Sequence, residues 1–570
     1  MNLMIKSTCV FAVLFLSSVF LFGQQEKTSK SGDIPKGWQL LDKKKDGYYG
    51  ISLDQAYDFV RSKKLKSTPV VVAIIDSGID TLHEDLKPVL WKNPGEIPGN
   101  GIDDDGNGYV DDVYGWNFLG GKDGRNVKQD SYEGARVYHK LKEKYKGKTI
   151  DTASLQGEEL EEYRTWIKAR NKVEGDGDDG GLDLLMLKRA LSSALKSDSV
   201  LRESLKKDTF TGNDLDSFVA VTPAEKAARG GLLYLFRANQ MMETTNQEFI
   251  QGFSEFVGGE ERKAEAKEKA PPEYRKEIVG DDESDINDRY YGNPDVMAST
   301  PFHGTHVAGI IGAVRNNKLG MDGIADNVKL MMLRAVPDGD EHDKDIALAI
   351  RYAVDNGAKI VNMSFGKDFS PEKEWVDDAV KYAQEKGVLL VHAAGNDAKN
   401  IDSSDNFPNA MLKASGTRAA NWITVGASGD EATGGLTASF SNYGKDQVDV
   451  FAPGVRIYST IPGGNTYGNA QGTSMASPVV AGAAAFLLSY FPFLTAEQLK
   501  YCIEQSTAAP EQPVRKPGTE DSVSLSDISR TGGVINAFEA AKIADSLQPE
   551  PGHKKKKKSP KSTLQHERRG

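Results

Sequence analysis

Apolar positions cluster along this chain in several patterns, and each predicts a different element. Cys9 to Phe22 form an apolar core behind Lys6, the length of a secretory leader and not of a spanning helix with a stop, so Met1 to Gly23 reads as a removable export signal. Val70-Val71-Val72-Ala73-Ile74-Ile75 is a short, continuous, β-branched run of the kind that forms a strand buried on both faces, and it ends in Asp76-Ser77-Gly78. Val388 to Val391 reads the same way and runs into the tight loop Ala393-Ala394-Gly395-Asn396. Val479 to Leu488 is small and apolar throughout, the pattern of a buried helix. Leu184, Leu187, Leu191 and Leu195, then Leu201 and Leu205, keep a helical spacing within a charged stretch that Gly175 to Gly181 and Pro271-Pro272 divide into pieces.

The chemistry lies at the ends of these runs. Ser474 in Gln471-Gly472-Thr473-Ser474-Met475-Ala476-Ser477-Pro478 stands where a helix begins. Gly472 permits a tight turn there, and Pro478, lacking an N–H, is expected in the first helical turn. Unpaired amides at such a start can face a developing oxyanion. Asp76 stands at the carboxyl end of a strand, the edge of an open α/β sheet where catalytic groups collect. His303 opens a Gly- and Ala-rich helix, His303-Gly304-Thr305-His306-Val307-Ala308-Gly309, whose small residues allow close packing.

Ile75-Asp76-Ser77-Gly78-Ile79, the histidine helix and Gly472-Thr473-Ser474-Met475-Ala476-Ser477-Pro478 together resemble the subtilase family of serine proteases, in the chain order Asp, His, Ser. The resemblance implies an α/β fold, a parallel sheet with helices on both faces, with strands at 70–75, 328–335, 359–364, 388–393 and 422–427. It implies an exported endopeptidase in which Asp76 orients the imidazole, His303 is general base and then acid, Ser474 attacks the carbonyl and Asn396 donates to the oxyanion. Lys359 to Gly366 resembles the family's substrate-binding strand. Ser364, Phe365 and Gly366 would then flank the first specificity pocket, with Ala393, Ala394 and Gly395 opposite. His306 and His392 read as packed, structural residues. The rival reading is a non-catalytic binding scaffold, which has no need of all four catalytic groups.

Calcium is the metal expected. Asp103, Asp105 and Asn107 alternate like the start of a calcium loop, but Tyr114 stands at the twelfth position, so Asp111 or Asp112 must supply the remaining carboxylate. The net charge of −11 argues against nucleic-acid partners, and Lys554 to Lys558, Lys561, Arg568 and Arg569 against Glu567 make the rest of the chain more acidic still. That tail, 547–570, has no apolar periodicity and is expected to be disordered. Loss of Cys9 with the leader leaves Cys502, a core hydrophobe on its helix, so no intrachain disulfide is expected.

Asp76 and His303 are 227 positions apart. A mainly helical insertion at 121–280 is therefore expected within a catalytic domain formed by 49–120 and 281–546, after a short segment, 24–48, too small for an inhibitory propeptide. The partners expected are polypeptide substrates, for a monomer without a stable membrane anchor.

Overall fold

The computed structural model describes residues 34–547 apart from 176–178, 239–240, 243 and 433; the expected leader, 1–23, and the basic tail beyond 547 lie outside the described residues. Helices α1 (Lys43–Asp46) and α2 (Leu53–Ser62) precede β1 (Val70–Asp76) and β2 (Gly115–Asn117). Helices α3 (Glu133–Tyr145), α4 (Gly157–Glu174), α5 (Asp179–Leu205), α6 (Gly212–Ser217), α7 (Pro223–Ala238), α8 (Asn246–Glu265) and α9 (Tyr274–Ile278) follow. The chain then alternates through α10 (Phe302–Gly312), β3 (Val328–Arg334), α11 (Asp343–Asp355), β4 (Ile360–Met363), α12 (Lys373–Glu385) and β5 (Leu389–Ala393). The short pair β6 (Met411–Leu412) and β7 (Thr417–Arg418) leads to β8 (Trp422–Ser428), β9 (Val450–Pro453) and the hairpin β10 (Ile457–Ile461) and β11 (Thr466–Ala470). Helices α13 (Thr473–Tyr490), α14 (Ala496–Gln505) and α15 (Ala537–Ser546) end the described chain.

Seven strands form one sheet in the order β2-β3-β1-β4-β5-β8-β9, and every pairing in it is parallel. Parallel strands need crossovers, so helices cover both faces. The two-residue period of a strand then sorts its side chains: Val70, Val72 and Ile74 pack with α2, α10, α13, α14 and α15, whereas Ala73 and Ile75 pack with α11 and α12. Strands β2 and β9 were not foreseen; the first has three residues and the second ends on a proline, too little for a periodic signal.

Between β2 and α10 the described chain is largely helical, with two cores of its own. Helices α3 and α4 bury Tyr138, Trp166 and Val173 against Phe369 of the sheet-bearing part. Helices α5 to α8 bury Leu187, Leu201, Leu232, Phe236, Phe249 and Phe253 in a cluster that contains no sheet residue. The leucine stripe differs from expectation at one position: Leu195 is exposed and Ala194 takes its place in the core, because the buried face of α5 tracks 187, 194 and 201.

Candidate active site

The parallel sheet brings the carboxyl ends of β1 and β5 and the starts of α10 and α13 to one edge. At that edge Asp76, 2% exposed, accepts from His303 Nδ1 at 2.7 Å and from its neighbour's amide, Ser77 N, at 2.8 Å, both on Oδ1. The close approach depends on Gly304, since a Cβ there would lie 2.2 Å from Gly78 O and 3.2 Å from Asp76 Oδ1. Desolvation alone would pull the imidazole pKa down. The charge and hydrogen bond of Asp76 outweigh it and hold His303 above its ordinary 6.5.

Ser474 is the second residue of α13, where helical amides have no partner within the helix. Thr473 N–H donates to Asn396 Oδ1 at 2.8 Å and Thr473 Oγ1 to the same oxygen at 3.0 Å. Those two bonds assign the amide: its oxygen is occupied, and Nδ2 is left to donate elsewhere. Gly472 has φ +149°, and a Cβ on it would lie 3.4 Å from Asn396 Nδ2 and 3.6 Å from Ser474 N, so both donors border one small space that only glycine leaves open. The Ser474 hydroxyl donates to Ser364 O at 3.0 Å.

Pro478 does not lie in the first turn, as the sequence suggested, but inside α13. Its missing N–H would leave Ser474 O without a helical donor, and Ser364 Oγ supplies one at 2.9 Å. The bond continues a buried chain: Ser477 Oγ donates to Asn362 Oδ1 at 2.9 Å, and Asn362 Nδ2 donates to Ser364 Oγ at 2.9 Å. A proline at this place thus exchanges a helical bond for one that ties α13 to the end of β4.

The sequence model of the Subtilase family matches residues 67–532, most of the chain. The chain belongs to the subtilase family. It is 46% identical over 188 residues to a thermophilic serine proteinase of Bacillus sp. (strain AK1), covering 33% of this chain and 42% of that protein. Over 200 residues it is 38% identical to subtilisin DY of Bacillus licheniformis, covering 35% of this chain and 67% of the relative. An extracellular protease of Xanthomonas campestris is 37% identical over 211 residues, 34% of either chain. Among solved structures, a protease from Pseudoalteromonas arctica aligns over 42% of this chain and 70% of its own at 30% identity and a TM-score of 0.35. The matched part spans less than half the length of the first relative.

In this subtilase β1 lies between β3 and β4 but stops at Asp76, while the chain runs on past β3 through Ala335 to Glu341 and past β4 through Ser364 to Lys367. Ser364, Phe365 and Gly366 follow the end of β4, and Ala393, Ala394 and Gly395 stand at the end of its paired neighbour β5. His392 Nε2 is bonded to Phe365 O at 2.8 Å, and burial holds that ring down to about 4. His306 is likewise buried, 3.2 Å from Gly468 O, with its pKa lowered to about 3 by burial. Both rings are neutral packing residues, as their places in the sequence suggested.

Four supporting residues escaped the sequence reading. Thr473 orients Asn396, Asn362 and Ser477 brace Ser364, and Arg334 is buried with no carboxylate bonded to it among the described residues. The Arg334 guanidinium donates to Ser77 O at 2.9 Å, Asn117 Oδ1 at 3.1 Å, Val127 O at 2.7 Å and Thr300 Oγ1 at 3.2 Å, joining the segments behind Asp76 and before His303. A polar residue inside an apolar strand, Asn362 or Arg334, is the signal that could have found them.

The acidic loop is arranged differently from a linear calcium loop. Asp103 spends both oxygens on backbone amides, of Asn107 at 3.1 Å and Gly108 at 2.8 Å. Asp111 turns away to the amides of Gly99, Asn100 and Gly101. Asp105 instead converges with Glu96 and Asp112, each offering an oxygen within 4.8 Å of the others. Asn107 Nδ2 bridges Asp105 and Asp112 at 3.2 and 2.9 Å. Burial raises the pKa of Glu96 and of Asp112. A divalent cation suits three converging carboxylates of which two are buried.

Proposed function

We propose that this subtilase is an exported serine endopeptidase working through Asp76, His303 and Ser474, with Asn396 and the Ser474 amide as oxyanion donors. The observation that carries the reading is the space at Gly472, bordered beside the nucleophile by two donors that have no partner among the described residues, and completed by the Asp76–His303 bond. A polypeptide lies in line with β1 and pairs by backbone with 335–341 and 364–366. The Ser474 hydroxyl leaves Ser364 O and turns to His303 Nε2, a tightening that catalytic bonds undergo when substrate binds. Neutral His303 takes the proton as Oγ attacks the carbonyl carbon. The tetrahedral oxyanion rests on Asn396 Nδ2 and Ser474 N, imidazolium returns the proton to the leaving amine, and water repeats the cycle on the acyl-enzyme. Treatment with a fluorophosphonate is expected to label Ser474; label on any other residue, or none on folded protein, overturns the assignment.

Asn406, whose Oδ1 would stand 3.2 Å from a Cβ at Gly366 and 3.6 Å from one at Gly395, reaches both sides of the first pocket and favours small or polar side chains there. Export is supported by the leader-like residues 1–23 and by the name of the Xanthomonas relative. Monomeric action on polypeptides, without nucleic acid or a membrane anchor, fits the acidic charge.

Calcium belongs to this reading as a structural ion held by Glu96, Asp105 and Asp112, with Asp103 and Asp111 shaping the loop around it. A ligand bound by the native state alone raises stability by mass action. Chelator is therefore expected to lower the unfolding temperature by several degrees, and Asp105→Ala to abolish the difference. Equal melting of the native sequence with and without chelator would leave the three carboxylates without a metal role.

A further inference from the structure

A cleft of about 970 Å³ runs along the active-site edge, and its lining comes from different parts of the chain. His303, Ser364 and Phe365 of the catalytic part line it together with Gln247, Gln251 and Glu255 of the helical stretch. The last three stand four residues apart on α8 and form one polar stripe. The opposite face of α8 carries Phe249, Phe253 and Val257 into the core of α5 to α8, so the stripe is presented to the cleft by a packed helix. That helix is tied to the catalytic part by Arg262, which pairs with Asp338 at 3.0 Å, and to α3 of the same helical stretch by His139, bonded to Ala266 O just past α8 at 2.7 Å.

The charges of the cleft are one-sided. No lysine or arginine lines it among the described residues, and its carboxylates are Asp76, Glu255 and Asp338. Asp76 is committed to His303 and Asp338 to Arg262. Glu255 has no ion pair among the described residues; Gln251 Nε2 donates to its Oε1 at 3.0 Å and holds the carboxylate within the stripe.

We propose that α8 is the outer wall of the substrate cleft and that Glu255 selects peptides bearing a lysine or arginine on the residue that passes beneath it. The inference rests on the endopeptidase reading and adds to it a substrate class: extended, basic polypeptide segments. An extended chain fits because the cleft lies along the edge where the parallel strands end and is lined by residues of both parts of the chain. A basic side chain fits because it offers Glu255 the cation it lacks, and an acidic one meets repulsion.

The test uses the full chain and pairs of peptides identical except for Lys or Glu at the position a peptide mixture selects. At low salt, kcat/KM is expected to favour Lys by roughly tenfold, with the preference shrinking as salt rises. Glu255→Gln should reduce that ratio severalfold and Glu255→Lys should reverse it, both at an exposed position where folding is preserved. A ratio near one in the native sequence, or one unchanged by either substitution, overturns the proposal. Fluorophosphonate labelling separates the two failures: labelled Ser474 with an unmoved ratio removes only the role of Glu255, whereas absent labelling and cleavage removes the endopeptidase reading.

Discussion

Replacing Asp76 by asparagine is expected to lower kcat by about 10⁴-fold, the scale found when the triad aspartate of an unrelated serine protease is changed in this way, with KM little altered. Asp76 Oδ1 accepts both from His303 Nδ1 and from Ser77 N, so an asparagine that keeps its oxygen there can still hold the ring. What it cannot supply is the negative charge that stabilises imidazolium. In the native protein that charge raises the His303 pKa above the ordinary imidazole value, and activity should rise as pH climbs through the raised pKa and the base becomes neutral. In Asp76→Asn the acid limb should move to lower pH while the plateau falls. Stability runs the other way: a raised histidine pKa favours folding below the unfolded value of about 6.5 and loses its contribution as pH climbs through the folded pKa. The Asp76–His303 pair therefore stabilises the fold most where the enzyme is least active. A kcat within tenfold of the native value, or an unmoved acid limb, would take Asp76 out of the mechanism.

Asn396→Ala is expected to cost about 10²- to 10³-fold in kcat with KM nearly unchanged, the loss a subtilisin shows when its oxyanion asparagine is removed. The alanine also strips Thr473 N and Oγ1 of their acceptor, so a structural cost accompanies the chemical one. Asn396→Asp separates them. Its remaining oxygen serves Thr473 as before, but the donor becomes a second, negatively charged acceptor beside the oxyanion, and turnover should fall at least as far. Near-native turnover in the aspartate variant would show that Asn396 only braces the start of α13.

Local runs of residues carried much of this architecture. The β-branched run ending at Asp76 made β1, the runs around Met331, Val361, Leu390 and Val425 made its neighbours, and the apolar positions after Ser474 made α13, because a strand or helix buried on all sides needs side chains of one kind and little else. Asp76, His303, Asn396 and Ser474 stood out in the sequence since each ends or opens such a run. What no run could convey is which groups meet across it. Pro478 read as a helix start, yet it lies inside α13 because Ser364, on another element, supplies the donor that proline lacks. Asp103, Asp105 and Asn107 matched a linear loop pattern that Asp111 or Asp112 had to complete, but folding turned Asp103 and Asp111 to backbone amides and brought Glu96, which no pattern named, to Asp105 and Asp112. The helical stretch between Asp76 and His303 enters and leaves between two catalytic groups, which places it near the active-site edge, but its charge and periodicity do not say which helix face meets the cleft; the packing of α8 on its own core, and the seat of Arg262 on Asp338, aim Gln251 and Glu255 there. Periodicity is a property of neighbours in the chain, and these contacts join residues far apart in it, so only the tertiary structure decides them.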